Sequence, residues 1–252
     1  MNNAKISVVT VCFNAVDSIE KTVLSVINQD YDNVEYIIID GGSTDGTVDI
    51  IKKYDDRISF WISEPDKGVY DAMNKALDHA TGNYVYFLGA NDILHPNILS
   101  NIFETNYPYN YILYGNVRFL PTEQIYNGRF DFLKIMFHNI SHQSIFYPLM
   151  AFKNLRYPLK YPIYADHFVN IVLWGQKRWK FHYIDFVIAD FQLGGLSSTC
   201  NDRDFKNDKP KIFIKYLGLI PYIIFCITSA LREIRHRTKD ILKKIFNEYI
   251  SG

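Results

Sequence analysis

The chain has 252 residues, of which 48% are hydrophobic, and 27 Lys and Arg balance 27 Asp and Glu. This composition excludes a disordered chain, and the length allows one sizeable core with room for an appendage. The three cysteines, Cys12, Cys200 and Cys226, have no CxxC spacing, which argues against a disulfide framework or a zinc site. A reducing cytoplasm is therefore the expected compartment.

Strand and helix patterns alternate through the first 95 residues. Short runs rich in β-branched residues are typical of buried strands, and stretches with apolar residues at helical spacing separate them. This alternation predicts an α/β fold with a Rossmann-like, mainly parallel sheet covered by helices on both faces. The predicted strands are 6–12, 36–39, 58–62 and 84–88, and the predicted helices are 17–29, 49–54 and 69–80.

The pattern becomes less regular after Pro96. The elements expected there are helices at 97–106 and 164–174 and strands at 111–119 and 186–191. Residues 201–210 are polar and charged without an aliphatic side chain, which is typical of a linker. We therefore expect a folded body over 1–200 and a separate tail after the linker.

The tail differs from the body in charge and hydropathy. Residues 211–252 hold eight Lys and Arg against three Asp and Glu, a net charge of +5, so the first 210 residues carry −5. Residues 216–230 are uncharged, but this stretch is shorter than the roughly 20 residues needed to span a bilayer. The basic and apolar residues of 231–249 predict an amphipathic helix, suited to a membrane surface. A hairpin covering the core or a dimer contact would give the same pattern, so these alternatives remain open.

Three blocks of acidic and glycine residues follow predicted strands, at 37–47, 63–76 and 84–92. In a parallel sheet, ligands bind beyond the carboxyl ends of the strands, so these blocks should lie near one another. Asp40 ends its strand before two glycines, whose missing side chains allow a close backbone approach. A carboxylate there can accept hydrogen bonds from a base or a ribose, and capping of the next helix is the alternative.

The second and third blocks offer further polar groups. Asp66 stands between a strand and a helix, where it is either a helix cap or part of a binding site. Asp71 and Asn74 are three residues apart and share one face of that helix, which is usually an outer face. Asn91 and Asp92 follow an apolar strand. A carboxylate there suits a divalent cation, and a turn or a helix cap is the alternative.

Two isolated residues in the second half can do acid–base chemistry. Asp166 opens the helix predicted at 164–174, where the helix N-terminus stabilises its ionised form. As a general base it would take a proton from an acceptor hydroxyl, although most aspartates at helix starts are caps. His142 is in the same way more often a packed residue than a catalyst. The glycine- and serine-rich stretch 194–198 indicates a flexible loop over the site.

These motifs, in this order, resemble glycosyltransferase family two, the inverting enzymes of the GT-A fold. Within that family the chain is similar to the bacterial transferases that build cell-envelope polysaccharides. The similarity covers about 5–198. Its most specific part is the run Ser63-Glu64-Pro65-Asp66-Lys67-Gly68 with Tyr70-Asp71-Ala72-Met73-Asn74-Lys75, and the shorter matches are His142-Gln143, Ala165-Asp166 and Gly194-Gly195-Leu196-Ser197.

The resemblance implies a role for each matching residue. Asp166 would be the catalytic base, and Asp92 would bind the Mg²⁺ or Mn²⁺ that bridges the diphosphate of the donor. The family often has two or three acidic residues at this metal motif, whereas the neutral Asn91 precedes Asp92 here. The residues implied to hold the nucleotide-sugar are Thr10, Phe13, Asn14, Asp40, Gly41, Gly42, Asp66, Gly68, Asn74, Asn91 and His142.

The implied reaction is the inverting transfer of a hexosyl or N-acetylhexosaminyl unit from a nucleotide donor, with UDP-sugar expected, to a hydroxyl of a glycan or lipid-linked acceptor. A nucleotide-sugar half over about 1–95 and an acceptor half over about 96–200 would precede the helical tail at 211–252. The N-terminus lacks a secretory signal pattern, so we expect a cytoplasmic protein, peripheral on the inner membrane face if the tail docks there. No nucleic acid partner is expected. The alternative is a non-catalytic, membrane-docked module that binds a nucleotide-sugar.

Overall fold

The computed structural model describes residues 4–126, 128–194 and 202–251. The chain divides into two compact units, 1–207 and 208–252, and the sheet belongs to the first. The strands are β1 Ile6–Cys12, β2 Val34–Asp40, β3 Phe60–Ser63, β4 Tyr84–Gly89, β5 Ile93–Leu94, β6 Tyr111–Leu120, β7 Gln124–Tyr126, β8 Ile145–Pro148 and β9 Lys180–Gln192. The helices are α1 Ile19–Ile27, α2 Thr47–Lys53, α3 Val69–His79, α4 Ile98–Phe103, α5 Phe132–Phe137, α6 Ala165–Gly175, α7 Arg203–Tyr216 and α8 Leu219–Ser251.

The strands form one mixed sheet in the order β3-β2-β1-β4-β8-β6-β9-β5, and β7 pairs with β6. The first four strands in the chain are parallel to one another, as their alternation with helices predicts. β8 runs antiparallel to both β4 and β6 and so joins a second group of strands to the first. Cys12 pairs with Asp40, and Asp40 with Ser63, so the carboxyl ends of three strands meet at one edge of the sheet.

Three of the four parallel strands are buried, whereas every residue of the edge strand β3 is partly exposed. Every residue of β1 is buried, and β2 and β4 each have one residue that is partly exposed. α1 packs Ile19, Val23 and Val26 into the core at the spacing of one helical face. β8 pairs with β4 on the side away from β1, and there the rings of Tyr86 in β4 and Phe146 in β8 stack with their centroids 4.6 Å apart. The predicted α/β architecture is therefore confirmed.

The second half of the body differs from the sequence-based prediction. β9 begins at Lys180, whereas the predicted strand begins at Phe186. The prediction missed the first half of the strand because that half consists mainly of charged and aromatic residues rather than aliphatic ones. β5, β7 and β8 were not predicted as strands. They hold only two, three and four residues, and a pairing that short leaves no periodic signal in the sequence.

A linker was expected over 201–210, but residues 203–210 are helical and form the first part of α7. The Asp202 carboxylate accepts a hydrogen bond from the Phe205 amide at 2.9 Å, which caps the helix. Phe205 is buried, with its ring centroid 5.3 Å from that of Tyr161. The polar residues that resembled a linker are thus the exposed face of a helix that one aromatic residue anchors.

The unit 208–252 contains a helical hairpin. The rings of Phe213 in α7 and Phe225 in α8 meet edge to face, with centroids 4.9 Å apart. Gly218 separates the two helices with a φ of +100°, a conformation that suits glycine. Across the described residues, no helix combines the length and the apolar character needed to cross a membrane. Large apolar side chains of α8 are nevertheless exposed, namely Leu219, Ile220, Ile223, Ile224, Ile227, Leu231, Ile234 and Leu242.

A buried carboxylate ties β2 to two other parts of the first unit. Glu35 accepts hydrogen bonds from Lys5 Nζ at 2.7 Å, from Ser7 Oγ at 2.6 Å and from the hydroxyl and amide of Thr81 at 2.6 and 2.8 Å. Burial by itself would raise the pKa of Glu35. These donors outweigh burial and lower the pKa from 4.5 to about 2.

We expect Glu35→Gln to lower the free energy of unfolding at pH 7 by about 1–3 kcal/mol, because the charge-assisted hydrogen bonds are lost. A carboxylate with a lowered folded-state pKa stabilises the fold above its unfolded-state pKa. This contribution disappears as the pH falls from about 4 to about 2. Urea unfolding at pH 7, 5 and 3 should therefore show a difference between wild type and variant that narrows at acidic pH. A difference independent of pH would contradict this account, and the exposed Glu104→Gln serves as the control.

Candidate active site

Asp40 lies at the carboxyl end of β2 with its side chain fully buried. Its carboxylate accepts five hydrogen bonds, from the amides of Gly42 and Ser43, the hydroxyls of Ser43 and Ser63, and the thiol of Cys12. Burial would raise the pKa of Asp40, but the donors from Ser43 and Ser63 hold it below its usual value. Asp40 therefore shapes the loop after β2, and a ligand would have to replace one of these donors to contact it.

The loops that follow β1 and β2 hold each other in place. Asn14 adopts a φ of +47°, its amide donates to Ser43 Oγ at 2.7 Å, and its Oδ1 accepts from the Thr44 amide at 3.1 Å. Two residues further on, the Val16 amide donates to Asp45 Oδ2 at 3.0 Å. These contacts fix the backbone at the edge of the sheet where a ligand is expected.

Gly41 brings Phe13 and Asp66 together at this edge. A Cβ on Gly41 would stand 2.7 Å from the Asp66 carboxylate and 3.3 Å from the Phe13 ring, so this position has room only for glycine. Gly42, with a φ of +85°, similarly passes close to the backbone of Pro65. Phe13 is 63% exposed. An exposed ring beside a carboxylate offers a stacking surface and a hydrogen-bond acceptor to a heterocyclic base.

The turn before α3 is built from hydrogen bonds between side chains and the backbone. Asp66 Oδ1 accepts from the Gly68 amide at 2.8 Å, and Asp71 Oδ2 accepts from the Lys67 amide at 2.9 Å. Gly68 has a φ of +106°, with open space around the position of a Cβ. The turn therefore needs glycine for its backbone conformation, and it presents Asp66 toward Gly41.

Two residues that the sequence assigned to the nucleotide-sugar lie elsewhere. Thr10 is fully buried within β1, and its hydroxyl is 3.0 Å from the Tyr36 hydroxyl. The Asn74 side chain donates to the Tyr157 carbonyl at 2.8 Å and accepts from the Tyr157 amide at 2.9 Å. Thr10 therefore belongs to the core, and Asn74 fixes α3 against the segment that precedes α6. Both partners are distant in the sequence, so spacing alone could not indicate these roles.

Asp92 lies just after β4 and is 4% exposed, whereas the neighbouring Asn91 is exposed. The Asp92 carboxylate accepts hydrogen bonds from Gln143 Nε2 at 2.8 Å and from the Gln192 amide at 3.2 Å. Burial raises the pKa of Asp92, although the Gln143 hydrogen bond and the nearby His142 oppose this effect. The carboxylate is thus held rigidly at the end of β4.

Asp166 is the second residue of α6 and is 6% exposed. Its Oδ1 accepts from the His167 amide at 2.7 Å, and its Oδ2 lies 3.5 Å from His142 Nδ1. Tyr70 donates its hydroxyl hydrogen to the Ile163 carbonyl at 2.8 Å. Burial, together with the charge of Asp166, raises the pKa of Tyr70 well above its usual value. Asp166 therefore faces an imidazole and a phenol that stays protonated.

The four carboxylates that the sequence singled out form two groups. Asp66 lies against Gly41, the residue that follows Asp40, whereas Asp166 lies 3.5 Å from His142 and Asp92 accepts a hydrogen bond from the next residue, Gln143. β1 lies between β2 and β4 in the sheet, which places the two groups beside each other at the carboxyl ends of the strands. This arrangement can bind a base at one end and transfer a proton at the other.

Three contacts of this site were not foreseen from the sequence. Gln143 holds Asp92, Tyr70 faces Asp166, and the Gln192 amide donates to Asp92. The sequence could have indicated the first two of these residues, because Gln143 directly follows the candidate His142 and Tyr70 lies within the most specific motif. Most of the predicted loop at 194–198 falls within 195–201, outside the described residues.

Within the described ranges, no group of three or more His, Cys, Asp or Glu side chains could hold a metal ion. Asp92 supplies one carboxylate, and a Cβ at Gly89 would stand 2.7 Å from Asp92 Oδ2, so glycine leaves space there. Mg²⁺ commonly takes one or two carboxylates and completes its shell with phosphate oxygens and water. The residues present therefore fit a cation that arrives with a diphosphate.

Solved structures with a similar fold include S. aureus TarS and a mannosyltransferase. Residues 1–349 of S. aureus TarS, solved with UDP-GlcNAc, match with a TM-score of 0.67 at 18% identity, over 84% of this chain and 71% of that one. The chain spans only 43% of the longer TarS structure. The mannosyltransferase PcManGT from Pyrobaculum calidifontis, solved with GDP-Man and Mn²⁺, matches with a TM-score of 0.64 at 14% identity, over 91% and 70%. At these identities the likeness concerns the fold, and it confirms the GT-A class.

Sequence relatives identify the family. The model of glycosyl transferase family 2 matches residues 7–150. A PGL/p-HBAD biosynthesis glycosyltransferase of Mycobacterium bovis (strain BCG / Pasteur 1173P2) is 34% identical over 195 residues, 74% of this chain and 76% of the relative. The putative teichuronic acid biosynthesis glycosyltransferase TuaG of Bacillus subtilis (strain 168) is 47% identical over 90 residues, 34% of this chain and 36% of the relative. The chain belongs to glycosyltransferase family 2 and is a transferase enzyme.

Proposed function

We propose that the protein is an inverting glycosyltransferase of cell-envelope synthesis that moves a sugar from a UDP-sugar to a hydroxyl of a glycan or lipid-linked acceptor. The observation that carries the proposal is that two neighbouring residues contact both carboxylates: His142 Nδ1 lies 3.5 Å from Asp166 Oδ2, and Gln143 Nε2 donates to Asp92 at 2.8 Å. UDP-GlcNAc in the TarS structure supports a UDP-sugar donor. The relatives named for PGL/p-HBAD and teichuronic acid biosynthesis support an envelope acceptor.

The donor would lie along the carboxyl ends of β3, β2, β1 and β4. The exposed ring of Phe13 would stack on the base, and Asp66 would accept a hydrogen bond from one of its N–H groups. The diphosphate would then extend toward Asn91 and Asp92, which leaves the sugar near His142. In this arrangement Asp40 acts through the loop that it organises.

The chemical step is a single displacement. The acceptor hydroxyl oxygen forms a bond to the anomeric carbon while the bond from that carbon to the diphosphate oxygen breaks. The hydroxyl proton passes to the Asp166 carboxylate, and the nucleoside diphosphate leaves with its electron pair. His142 lies 3.5 Å from Asp166 and orients this carboxylate toward the acceptor. Attack from the face opposite the leaving group inverts the anomeric centre.

Asp92 would hold the divalent cation of this reaction, Mg²⁺ or Mn²⁺. A bound cation supplies positive charge that stabilises the leaving diphosphate. Gln143 and the Gln192 amide keep the Asp92 carboxylate in one orientation, and Gly89 leaves space beside it. The exposed Asn91 adds a neutral oxygen ligand next to this carboxylate.

A donor screen tests the proposal. The purified full chain is incubated with Mn²⁺ and a panel of UDP-, GDP-, ADP- and dTDP-sugars, and release of nucleoside diphosphate is measured. We expect slow hydrolysis of at least one UDP-sugar, which stops when EDTA is added. The alternative, a non-catalytic nucleotide-sugar module, predicts binding of a donor without release from any of them. Release from a GDP-sugar alone would contradict the UDP assignment.

We propose in addition that the tail docks the enzyme on the inner membrane face, close to a lipid-linked acceptor. The exposed Ile220, Ile223 and Ile227 recur at helical spacing on α8 and offer an apolar stripe. Arg232, Arg235 and Arg237 follow on the same helix, and anionic lipid attracts such residues by about 1 kcal/mol each. The combination is typical of a helix that lies in the interface.

Vesicle sedimentation tests the docking. The full chain should sediment with phosphatidylglycerol vesicles, and a variant with Arg232, Arg235 and Arg237 changed to Glu should bind at least tenfold more weakly. The matched control reverses three exposed lysines of the first unit, Lys21, Lys52 and Lys53, and should bind as wild type does. Equal binding of both triple variants, or a full chain that stays in solution as a dimer, would contradict membrane docking.

A further inference from the structure

A groove with both polar and apolar side chains lies on the other side of β8 from the parallel strands. It has a volume of about 520 Å³ and is formed by β6, β7, α5 and β9. We call it the hairpin groove, after the β6–β7 hairpin at its edge, and the residues that define it here are Asn116, Ile125, Tyr126, Lys134, Tyr183 and Asp185. This volume falls within the range of about 300–1,000 Å³ that is usual for small-molecule sites.

We propose that the hairpin groove binds a saccharide unit of the acceptor, a neutral sugar ring held through its hydroxyl groups. The inference rests on the proposed function, which requires an acceptor, and adds where and by which chemistry the acceptor is recognised. The polar network, the apolar surface and the connection to Asp166 support it in turn.

Hydrogen bonds within the protein already hold the polar side chains of the groove in position. Asn116 donates to the Tyr183 hydroxyl at 2.9 Å, and Tyr183 donates to Asp185 Oδ1 at 2.8 Å. Asn116 is itself fixed, because its Oδ1 accepts from the Gly128 amide at 2.8 Å. Asp185 is exposed, and its Oδ2 accepts no hydrogen bond from the residues that the structure describes. That oxygen can accept from a sugar hydroxyl without disturbing the network.

The charges of the groove favour a neutral ligand. Lys134, His138 and Asp185 line it together, so a carboxylate stands beside the cation, whereas a site for phosphate would have positive groups without one. An amine and a carboxylate on one surface provide the donors and acceptors that a row of sugar hydroxyls requires.

The groove also offers the apolar surface that the C–H face of a sugar ring needs. Ile125 is 50% exposed at its edge. The ring of Tyr126 is held in place by Phe119, whose centroid lies 5.1 Å away at an interplanar angle of 21°. Rigid aromatic rings with a polar tip provide contact area at a low cost in conformational entropy.

Tyr126 connects the groove to the proposed base. Its hydroxyl donates to the Asn139 carbonyl at 3.1 Å, and the Asn139 side chain accepts from Asn170 Nδ2 at 2.8 Å. Asn170 belongs to α6, the helix that begins beside Asp166. Burial raises the pKa of Tyr126, and the charge of Asp166 adds to this effect. A chain of contacts through Tyr126, Asn139 and Asn170 therefore links the groove to α6, the helix on which Asp166 lies.

Saturation-transfer NMR tests the inference on the full chain. The probes are methyl α-glucoside, methyl α-galactoside, N-acetylglucosamine and lactose, and inorganic phosphate is the anionic comparison. We expect at least one saccharide to bind and phosphate not to compete with it. Asp185→Asn keeps the oxygen that Tyr183 bonds but replaces Oδ2 with an amide NH2 group, which donates instead of accepting, and should weaken binding about tenfold. Ile125→Trp fills the edge of the groove and should abolish the signal. The exposed Asp56→Asn is the matched control and should bind as wild type does.

Two results would overturn the hairpin groove as a saccharide site. One is that none of the four saccharides receives saturation from the wild-type chain. The other is that Asp185→Asn and Ile125→Trp both bind as wild type does. The donor screen fails or succeeds independently of these signals. Donor hydrolysis without saccharide binding would support the proposed function and contradict the hairpin groove as a saccharide site. Saccharide binding without hydrolysis of any donor would support the saccharide site and contradict the proposed function.

Discussion

Replacing Asp166 with asparagine is expected to lower turnover by a factor of about 10²–10⁴, the usual contribution of a general base. The asparagine side-chain oxygen can still accept from the His167 amide at the start of α6, so the helix should be unchanged. The amide cannot take the acceptor proton. Because the proposed donor site is formed by the loops around Gly41, the donor KM should change little while kcat falls. The measurement is initial-rate release of nucleoside diphosphate over a range of donor concentrations.

Asp56→Asn is the control for this prediction, because it makes the same chemical change at an exposed residue. It should retain wild-type kcat and KM. Near-wild-type turnover by Asp166→Asn would remove this residue as the base. A rise in donor KM with an unchanged kcat would instead place Asp166 in donor binding.

Asp92→Asn is expected to lower cation-dependent turnover by a factor of about 10²–10³, because the carboxylate charge proposed to hold the cation beside the diphosphate is lost. The asparagine keeps the size of the side chain but can accept from only one of its two donors, Gln143 Nε2 and the Gln192 amide, so the free energy of unfolding should fall by about 1–3 kcal/mol. The variant should therefore remain folded in the assay and lose far more activity than its lower urea unfolding midpoint accounts for. Titration of the release rate with Mn²⁺ should show a weaker dependence on the cation as well as a lower maximum.

The outcome that would contradict the role of Asp92 is an unchanged Mn²⁺ titration. A fall in the unfolding midpoint that accounts for the whole loss of activity would also contradict it, since Asp92 would then only organise Gln143 and Gln192. Asp56→Asn again provides the wild-type reference for both measurements.

The first four strands and three of the helices could be predicted from the sequence because the signal is local. β1 and β2 are continuous β-branched runs, and α1 repeats its apolar residues at helical spacing. The acidic and glycine residues at the strand ends were predicted to lie together because parallel strands end at one edge. The structure agrees for Gly41 and Asp66, which meet there.

The parts that could not be predicted depend on contacts between distant residues. Asn74 shares a helix face with Asp71, yet its amide binds the backbone of Tyr157, 83 positions away. Thr10 lies on a strand whose carboxyl end was predicted to reach a binding site. Its side chain is instead buried in the core, where its hydroxyl lies 3.0 Å from the Tyr36 hydroxyl. β8 is too short to show a periodic pattern in the sequence. Its pairing with β4 and β6 joins the parallel strands to the strands that form the hairpin groove.

The central claim is that the ends of β1 to β4 and the start of α6 form one donor site. A crystal structure of the full chain with Mn²⁺ and the UDP-sugar found in the donor screen tests it most directly. The account predicts a base against Phe13 and Asp66, a diphosphate and cation beside Asp92, and an anomeric carbon that an acceptor held by Asp166 can reach. A nucleotide bound away from these residues, or a sugar on the side of the sheet remote from Asp166, would contradict it.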